Sequence, residues 1–204
     1  MELFTGILEM GNIKKFEKKP IDEKEIGVIL YSATHAPSAG NSQEWEFIVV
    51  RDEKIKEKVA KAAWDQNFVK QAPVIFVVCA DIEKMEMKYG DLGQTYAIED
   101  ISYATMNMLL ASHALGLGSA LIQAFEEDKL KTALSLRKNI KPISIIAVGH
   151  PAEEPEEQNK IPFENFTYLN YHGNRYEFET KPIGNLLKEA FEKTKSKTKK
   201  DDFG

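Results

Sequence analysis

Apolar positions recur along the chain with two periods, and the changes of period mark out its elements. Leu3, Ile7 and Leu8 share one side of a helix over Glu2 to Met10, which Gly11-Asn12 ends. Asp22 stands as the cap of a second helix with Glu25 placed to return the bond. Ile26, Ile29, Leu30 and Ala33 form its apolar face before Pro37 stops it. Trp45 to Val50 reads as a strand and Asp52 to Ala63 as a helix. Val74 to Ala80 is continuously apolar and rich in β-branched residues, as a strand covered on both faces is.

The longest predicted helix runs from Ile98 to Leu117. Apart from Glu99 and Asp100 it carries no charge on any side, so it is buried either centrally or between subunits. Ala97, Ala104, Ala111 and Ala114 allow close approach of another helix, which favours the subunit interface. Glu99-Asp100 reads as a charge preference at a helix start rather than an acid/base dyad. Gly116 and Gly118 are placed to end the helix. A strand over Ser119 to Gln123, a helix over Glu126 to Leu134 and a strand over Ile143 to Gly149 follow, and Pro151 closes the last of these. The acidic segment Ala152 to Pro162 reads as linker. Beyond it come an aromatic group (Phe163, Phe166, Tyr168, Tyr171, Tyr176) and a final helix over about 183–193. Strands are too few for a sandwich and follow no regular βαβ rhythm. The prediction is an α+β layered fold.

Composition narrows the class. A chain of 204 residues, 43% of them hydrophobic, supports one well-buried core and hence a single domain over 1–204, with 152–204 as a C-terminal extension and tail. A formal charge of -5 and a pI near 5.5 argue against nucleic acid or an anionic membrane as partner. No segment has the apolar length of a membrane span and no export leader is visible, so a cytoplasmic protein is expected. Cys79, the single cysteine, lies in the run PVIFVVCAD, where a small buried side chain is expected and a reactive thiol is the alternative.

Much familiar chemistry is missing. His35, His113, His150 and His172 share no metal-ligand spacing with cysteine or carboxylate. No GxxxxGK[ST] phosphate loop and no GxSxG elbow occur. Gly116-Leu117-Gly118 follows a helix and precedes a strand, the reverse of the order a dinucleotide fingerprint needs.

What the chain does have is a polar loop joining a helix to a strand, His35-Ala36-Pro37-Ser38-Ala39-Gly40-Asn41-Ser42-Gln43-Glu44-Trp45. Small residues leave its backbone accessible, and Ser38, Asn41 and Gln43 offer donors and acceptors. Such a loop fits a plain Asn-containing turn, or the polar edge of a flat heteroaromatic ligand.

The string APSAGNSQEWEFIVV resembles the flavin-binding segment of the nitroreductase family, commonly A-P-S-x-x-N-x-Q-x-W-x-F-x-V-V. The likeness continues through QAPVIFVVCAD, SHALGLGSALIQAF and KPISIIAVGHP, in the family's order, from about Ile21 to Pro151. The resemblance implies a mostly antiparallel central sheet flanked by helices, a long buried central helix, and an intertwined homodimer with FMN between the subunits. NAD(P)H would be the electron donor, and a nitroaromatic, quinone or free flavin the acceptor. Carried over by position, Pro37, Ser38 and Ala39 would lie along the flavin ring. Asn41 and Gln43 would bond its polar edge or ribityl chain, and Gln123-Ala124 would bring a backbone N–H near N5.

The chain departs from the family in its first motif. Where R-R-S-x-R-x-F is usual, it reads Met10-Gly11-Asn12-Ile13-Lys14-Lys15-Phe16, so two arginines expected on the FMN phosphate are absent. Asn12 replaces serine and Lys14 keeps a cation without the bidentate fork. Lys160 is a second phosphate candidate, and Lys15, Lys18 and Lys19 are nearby substitutes. The resemblance places a variable lid over about 83–96, with Gly90 and Gly93 as hinges and Tyr89 and Tyr96 as stacking candidates. Trp64 and Phe68 are further candidates for substrate contact. No side chain is required as acid or base, so no catalytic residue is assigned. Two alternatives stay open: a flavin-holding or regulatory dimer without turnover, and another flavin chemistry on the same fold, such as reductive dehalogenation.

Overall fold

The computed structural model describes residues 3–155 and 159–177. The chain divides into two compact units, Met1–Glu157 and Gln158–Gly204. The first opens with α1 (Leu3–Glu9) and α2 (Glu23–Thr34), followed by β1 (Trp45–Val50), α3 (Glu53–Ala62), α4 (Asn67–Gln71) and β2 (Val74–Asp81). It continues with α5 (Ile82–Tyr89), α6 (Gly93–Ala114), β3 (Gly118–Ile122), α7 (Glu127–Leu134) and β4 (Ile140–Gly149). In the second, among the described residues, Phe163–Phe166 form a 3-10 turn and Tyr168 bridges Arg175. The final helix expected over about 183–193 lies outside the described residues.

The four strands form one antiparallel sheet in the order β1-β2-β4-β3. Strand β2 is buried on both faces, as its unbroken apolar run predicts. Val74, Phe76, Val78 and Ala80 face a core shared with α2, α5 and α6, through Ile26, Ile29, Met85, Ile101 and Met108. Ile75, Val77 and Cys79 face the opposite core, shared with α3, α4 and α7 through Val59, Val69 and Leu130. Each such side chain contributes roughly 1.5–3 kcal/mol by leaving water, so the sheet is held from both sides. Cys79 is fully buried, and burial pushes its thiol up to about 12, which makes it part of the packing rather than a nucleophile.

Most predicted boundaries fall within a residue or two of those observed, and two differ for physical reasons. Strand β4 begins at Ile140, three residues before the prediction, because a bulge between Val78 and Cys79 lets Pro142 pair with Cys79. Proline in a strand is tolerated at such a bulge, where its missing N–H is not needed. Helix α6 begins at Gly93 rather than Ile98, so Glu99-Asp100 is not a helix-start pair: Asp100 sits two turns in and is buried. Its small residues are also placed otherwise than expected. Ala97 and Ala104 pack inside the chain's own core, while Ile98, Tyr103 and Met106 make its exposed apolar face.

The expected lid over 83–96 is regular structure. Helix α5 anchors on fully buried Met85, and Gly93 is no hinge. A Cβ at Gly93 would stand 2.5 Å from the Glu86 nitrogen and the Met85 carbonyl carbon. We expect Gly93→Ala to destabilise the fold by about 1–3 kcal/mol, the usual cost of overpacking. Urea unfolding checks this, and a change below about 0.5 kcal/mol, the level of an ordinary surface substitution, would show that the α5–α6 turn is slack.

Candidate functional site

The residues expected to meet a flavin fall into two groups in the first unit. One follows the β3 edge. Here the chain after α1 runs beside β3 as a short parallel extension: Asn12 bridges Ser119, and the Ile13 N–H donates to the Ser119 carbonyl at 2.9 Å. The Asn12 Oδ1 accepts the Leu121 N–H at 3.3 Å. Asn12 thus ties the first motif to the strand that leads to Gln123-Ala124. Pairing of β3 with β4 ends at Ile122, and Gln123 and Ala124 stand exposed beyond it.

The cations of this edge divide. Glu153 accepts the backbone N–H groups of Lys14 at 2.8 Å and Lys15 at 3.0 Å, and its carboxylate pairs with the Lys15 ammonium at 3.1 Å. These contacts, the Lys14 N–H first, hold Glu153 below the usual carboxylate range. Lys15 is therefore engaged. The Lys14 side chain is exposed and makes no ion pair with the described residues. Lys160, also exposed, belongs to the second unit.

The other group is the loop from Pro37 to Gln43. Ala39–Asn41 form a 3-10 turn in which Gly40 and Asn41 have φ of 52° and 55°, and Gln43 follows at 46°. Asparagine tolerates this left-handed region, whereas glutamine there is strained by roughly 1–3 kcal/mol. Several bonds hold the shape. Ser38 Oγ accepts the Gln43 N–H at 3.1 Å, and Gln43 Nε2 donates to Asn41 Oδ1 at 3.0 Å. Helix α5 braces the loop from behind. The Lys84 ammonium donates to the Ser42 carbonyl at 2.5 Å, and that of Lys88 donates to the Gly40 carbonyl and Ser42 Oγ, both at 2.9 Å. A Cβ at Gly40 would collide with the Tyr89 hydroxyl. Tyr89 itself packs edge-on against Tyr96 at 5.1 Å, and both expected stacking residues are partly buried against the first core. Of the remaining candidates, Trp64 is exposed and Phe68 packs on the second core.

Beneath the loop lie two acids that periodicity and resemblance both passed over as functional groups. Asp100, 3% exposed, accepts the Ala39 N–H through Oδ2 at 2.8 Å and so caps the first turn of the 3-10 segment from another helix. Glu44, 2% exposed, has no hydrogen-bond partner among the described residues on either carboxylate oxygen. Burial first, and the neighbouring Asp100 charge after it, raise its carboxyl to about 7, against the opposing pull of a backbone N–H and Lys84. Glu44 occupies a variable position of the flavin-binding pattern, so no motif pointed to it. The one available signal was a lone carboxylate immediately before the apolar strand WEFIVV.

The two groups sit at opposite margins of one sheet. The loop feeds β1 and the Asn12–Lys14 segment lies outside β3, four strand spacings across, or about 19 Å, and toward the other end of the strands. Among the described residues no cluster of His, Cys, Asp and Glu could hold a metal ion, and no helix is long and apolar enough to cross a membrane.

An antiparallel sheet covered on both faces, with a polar left-handed loop at one margin and a cationic extension at the other, defines a class of two-layer-covered α+β protein with its site at the sheet margins. The nitroreductase family model matches residues 12–73 and 64–150, and the chain belongs to that family. A Methanothermobacter thermautotrophicus relative with the provisional name NADH dehydrogenase/NAD(P)H nitroreductase is 33% identical over 159 residues, 76% of this chain and 80% of the relative. The FMN reductase [NAD(P)H] of Bacillus subtilis is 28% identical over 187 residues, 83% of this chain and 75% of its own length. The solved structure of NfrA1 nitroreductase from B. subtilis superimposes with a TM-score of 0.76 at 25% identity, covering 88% of this chain and 76% of that one.

The raised carboxyl of Glu44 makes stability depend on pH. The folded chain keeps a proton that the unfolded chain releases near 4.5, so stability from this group is full below 4.5 and is lost as pH rises to about 7. Glu44→Gln is expected to remove that loss and to be more stable than the parent at pH 8. Urea midpoints at pH 5 and pH 8 measure it, and equal pH dependence in both proteins would contradict the assignment.

Proposed function

We propose that the chain is an FMN-dependent oxidoreductase that passes electrons from NAD(P)H to a small acceptor such as a nitroaromatic, a quinone or a free flavin. The observation that carries this reading is the Pro37–Gln43 loop, whose left-handed turns and braced backbone present Ser38, Asn41 and Gln43 at the surface of a nitroreductase-family chain. The donor set fits the cofactor. Amide side chains match a flavin's alternating donors and acceptors, small Ala39 and Gly40 leave room for a flat ring, and Lys14 supplies a cation for the phosphate. The names of the relatives point the same way.

Bound FMN supplies hydride acceptance at N5 and delivery of the electrons to the acceptor. The protein's part is to bind, orient and shield. Asn41 and Gln43 fix the ring's polar edge or ribityl chain, Pro37 to Ala39 form a wall along it, and the backbone at Gln123-Ala124 offers an N–H at the opposite margin. Lys14, as a point charge, holds the phosphate, with Asn12 beside it.

The same reading includes a homodimer. The loop and the Asn12–Lys14 segment lie four strand spacings apart, about 19 Å, and a two-fold pair would bring the loop of one subunit to the β3 margin of its partner. Helices α2 and α6 each leave large apolar residues on the surface, Tyr31 and Val28 on the first and Ile98, Tyr103 and Met106 on the second. Exposed apolar area on that scale is characteristic of an interface.

Purified protein loaded with FMN and freed of excess is expected to retain the flavin bands and to bleach on anaerobic addition of NADH or NADPH. Bands that persist unbleached would replace the reductase with a flavin-holding protein. Lys14→Ala is expected to weaken FMN about tenfold, one charge-assisted hydrogen bond, and to leave riboflavin binding unchanged. Equal loss for both ligands would remove Lys14 from the phosphate. Sedimentation equilibrium is expected to give a dimer, and a monomer at micromolar concentration would leave the two half-sites apart.

A further inference from the structure

Asp100 and Glu44 have no part in the electron transfer just described, yet they sit directly behind the loop that carries it. Ala39 opens the loop's 3-10 turn, and its N–H ends on the Asp100 carboxylate at 2.8 Å. No other described bond runs from that turn to α6. Glu44 leaves the loop at its other end, with its side chain turned inward beside Asp100 and both oxygens unpartnered. Two carboxyl groups enclosed together are compatible while one keeps its proton, because only one of them is then charged. When both are ionised they repel, and the repulsion acts on the Asp100 carboxylate that holds Ala39.

We propose that Asp100 is the positioning residue of the flavin-contacting loop, and that the proton on Glu44 sets how firmly Asp100 holds Ala39 and therefore how tightly flavin binds. The inference rests on the FMN reading.

The surrounding charges relieve the pair only in part: Lys84 draws the Glu44 carboxyl down, less than burial and Asp100 raise it. Lys84, on α5, is spent on the carbonyls of Ser42 and Gln43. Lys88 is bound to Gly40 and Ser42. On β2, Asp81 accepts from the Lys84 N–H and from Asn139, and on β1, Glu46 pairs with Arg137. Burial has already moved the Glu44 carboxyl into the neutral range, so the change falls where the protein works.

The test measures FMN and riboflavin affinity from pH 5.5 to 8.5 by quenching of flavin fluorescence, in the parent, Glu44→Gln, Asp100→Asn and Asp100→Leu. Riboflavin is needed because the FMN phosphate itself titrates near ~6. The parent's riboflavin affinity is expected to fall about tenfold as pH rises through about 7. Glu44→Gln, which fills the same space and cannot ionise, is expected to bind with a flat profile at the parent's low-pH affinity. Asp100→Asn keeps an acceptor for Ala39 and is also expected to be flat. Asp100→Leu removes the acceptor and is expected to be weak at every pH. A parent-like slope in Glu44→Gln, or a flat parent, overturns the proposal. Hydrogen exchange at the Ala39 amide gives a readout that needs no flavin: corrected for hydroxide catalysis, it should quicken with pH in the parent and not in Glu44→Gln. If that pattern holds while neither flavin binds, the clasp stands and the FMN reading fails. If flavin binds and Ala39 exchange ignores Glu44, the clasp fails and the FMN reading stands.

Discussion

A sheet whose inner strands are buried on both faces leaves chemistry nowhere to go but its margins. Strands β2 and β4 are enclosed between α2, α5 and α6 on one side and α3, α4 and α7 on the other. Their backbone groups are satisfied in the ladder and their side chains are taken by packing. The margins keep what the interior cannot hold: exposed amides, left-handed backbone, unpaired ammonium groups. That constraint sets the Pro37–Gln43 loop before β1 and the Asn12–Lys14 extension along β3, and it separates them by the width of the sheet.

The separation gives α6 a double duty. One face closes the core with Ala97, Ile101, Ala104 and Met108, and that face also reaches the loop through Asp100. The other presents Ile98, Tyr103 and Met106 to the surface. A helix with both duties cannot show a simple stripe of apolar residues, which is why it is uncharged nearly all round. The same feature misled the prediction about its alanines. Ala97, Ala104 and, in part, Ala111 pack in the chain's own core, Asn107 bonds the Ser32 carbonyl of α2 at 3.1 Å, and the apolar outer face is made of large residues.

The layered fold was legible in the sequence because period and burial coincide in it. The unbroken run at Val74 and the Asp22–Glu25 cap, in which the Asp22 N–H donates to Glu25 at 2.8 Å, both correspond to observed contacts. Pro142 hid the start of β4, since a proline reads as a break until the bulge opposite it is seen. The candidate site was legible in half. Loop residues 37–43 could be found from their composition and their family pattern, and Asn12 and Lys14 from their place in a motif. The supporting shell could not be, because Lys84, Lys88, Tyr89 and Asp100 are brought to the loop by tertiary contacts over 40 to 60 residues of sequence, and each alone looks like surface charge or lid.

That hidden shell also bears on the missing arginines. Where phosphate is held by one ammonium instead of guanidinium forks, less of the cofactor's binding energy comes from its anionic end. A loop proposed to meet the ring must then be better organised before binding, since ordering it afterwards would cost affinity. The structure has that organisation: three left-handed residues, two lysines on the loop carbonyls, and a buried carboxylate on its first free N–H. A preorganised loop depends on every group that fixes it, so the protonation of one buried acid matters more here than it would in a site dominated by its phosphate contacts.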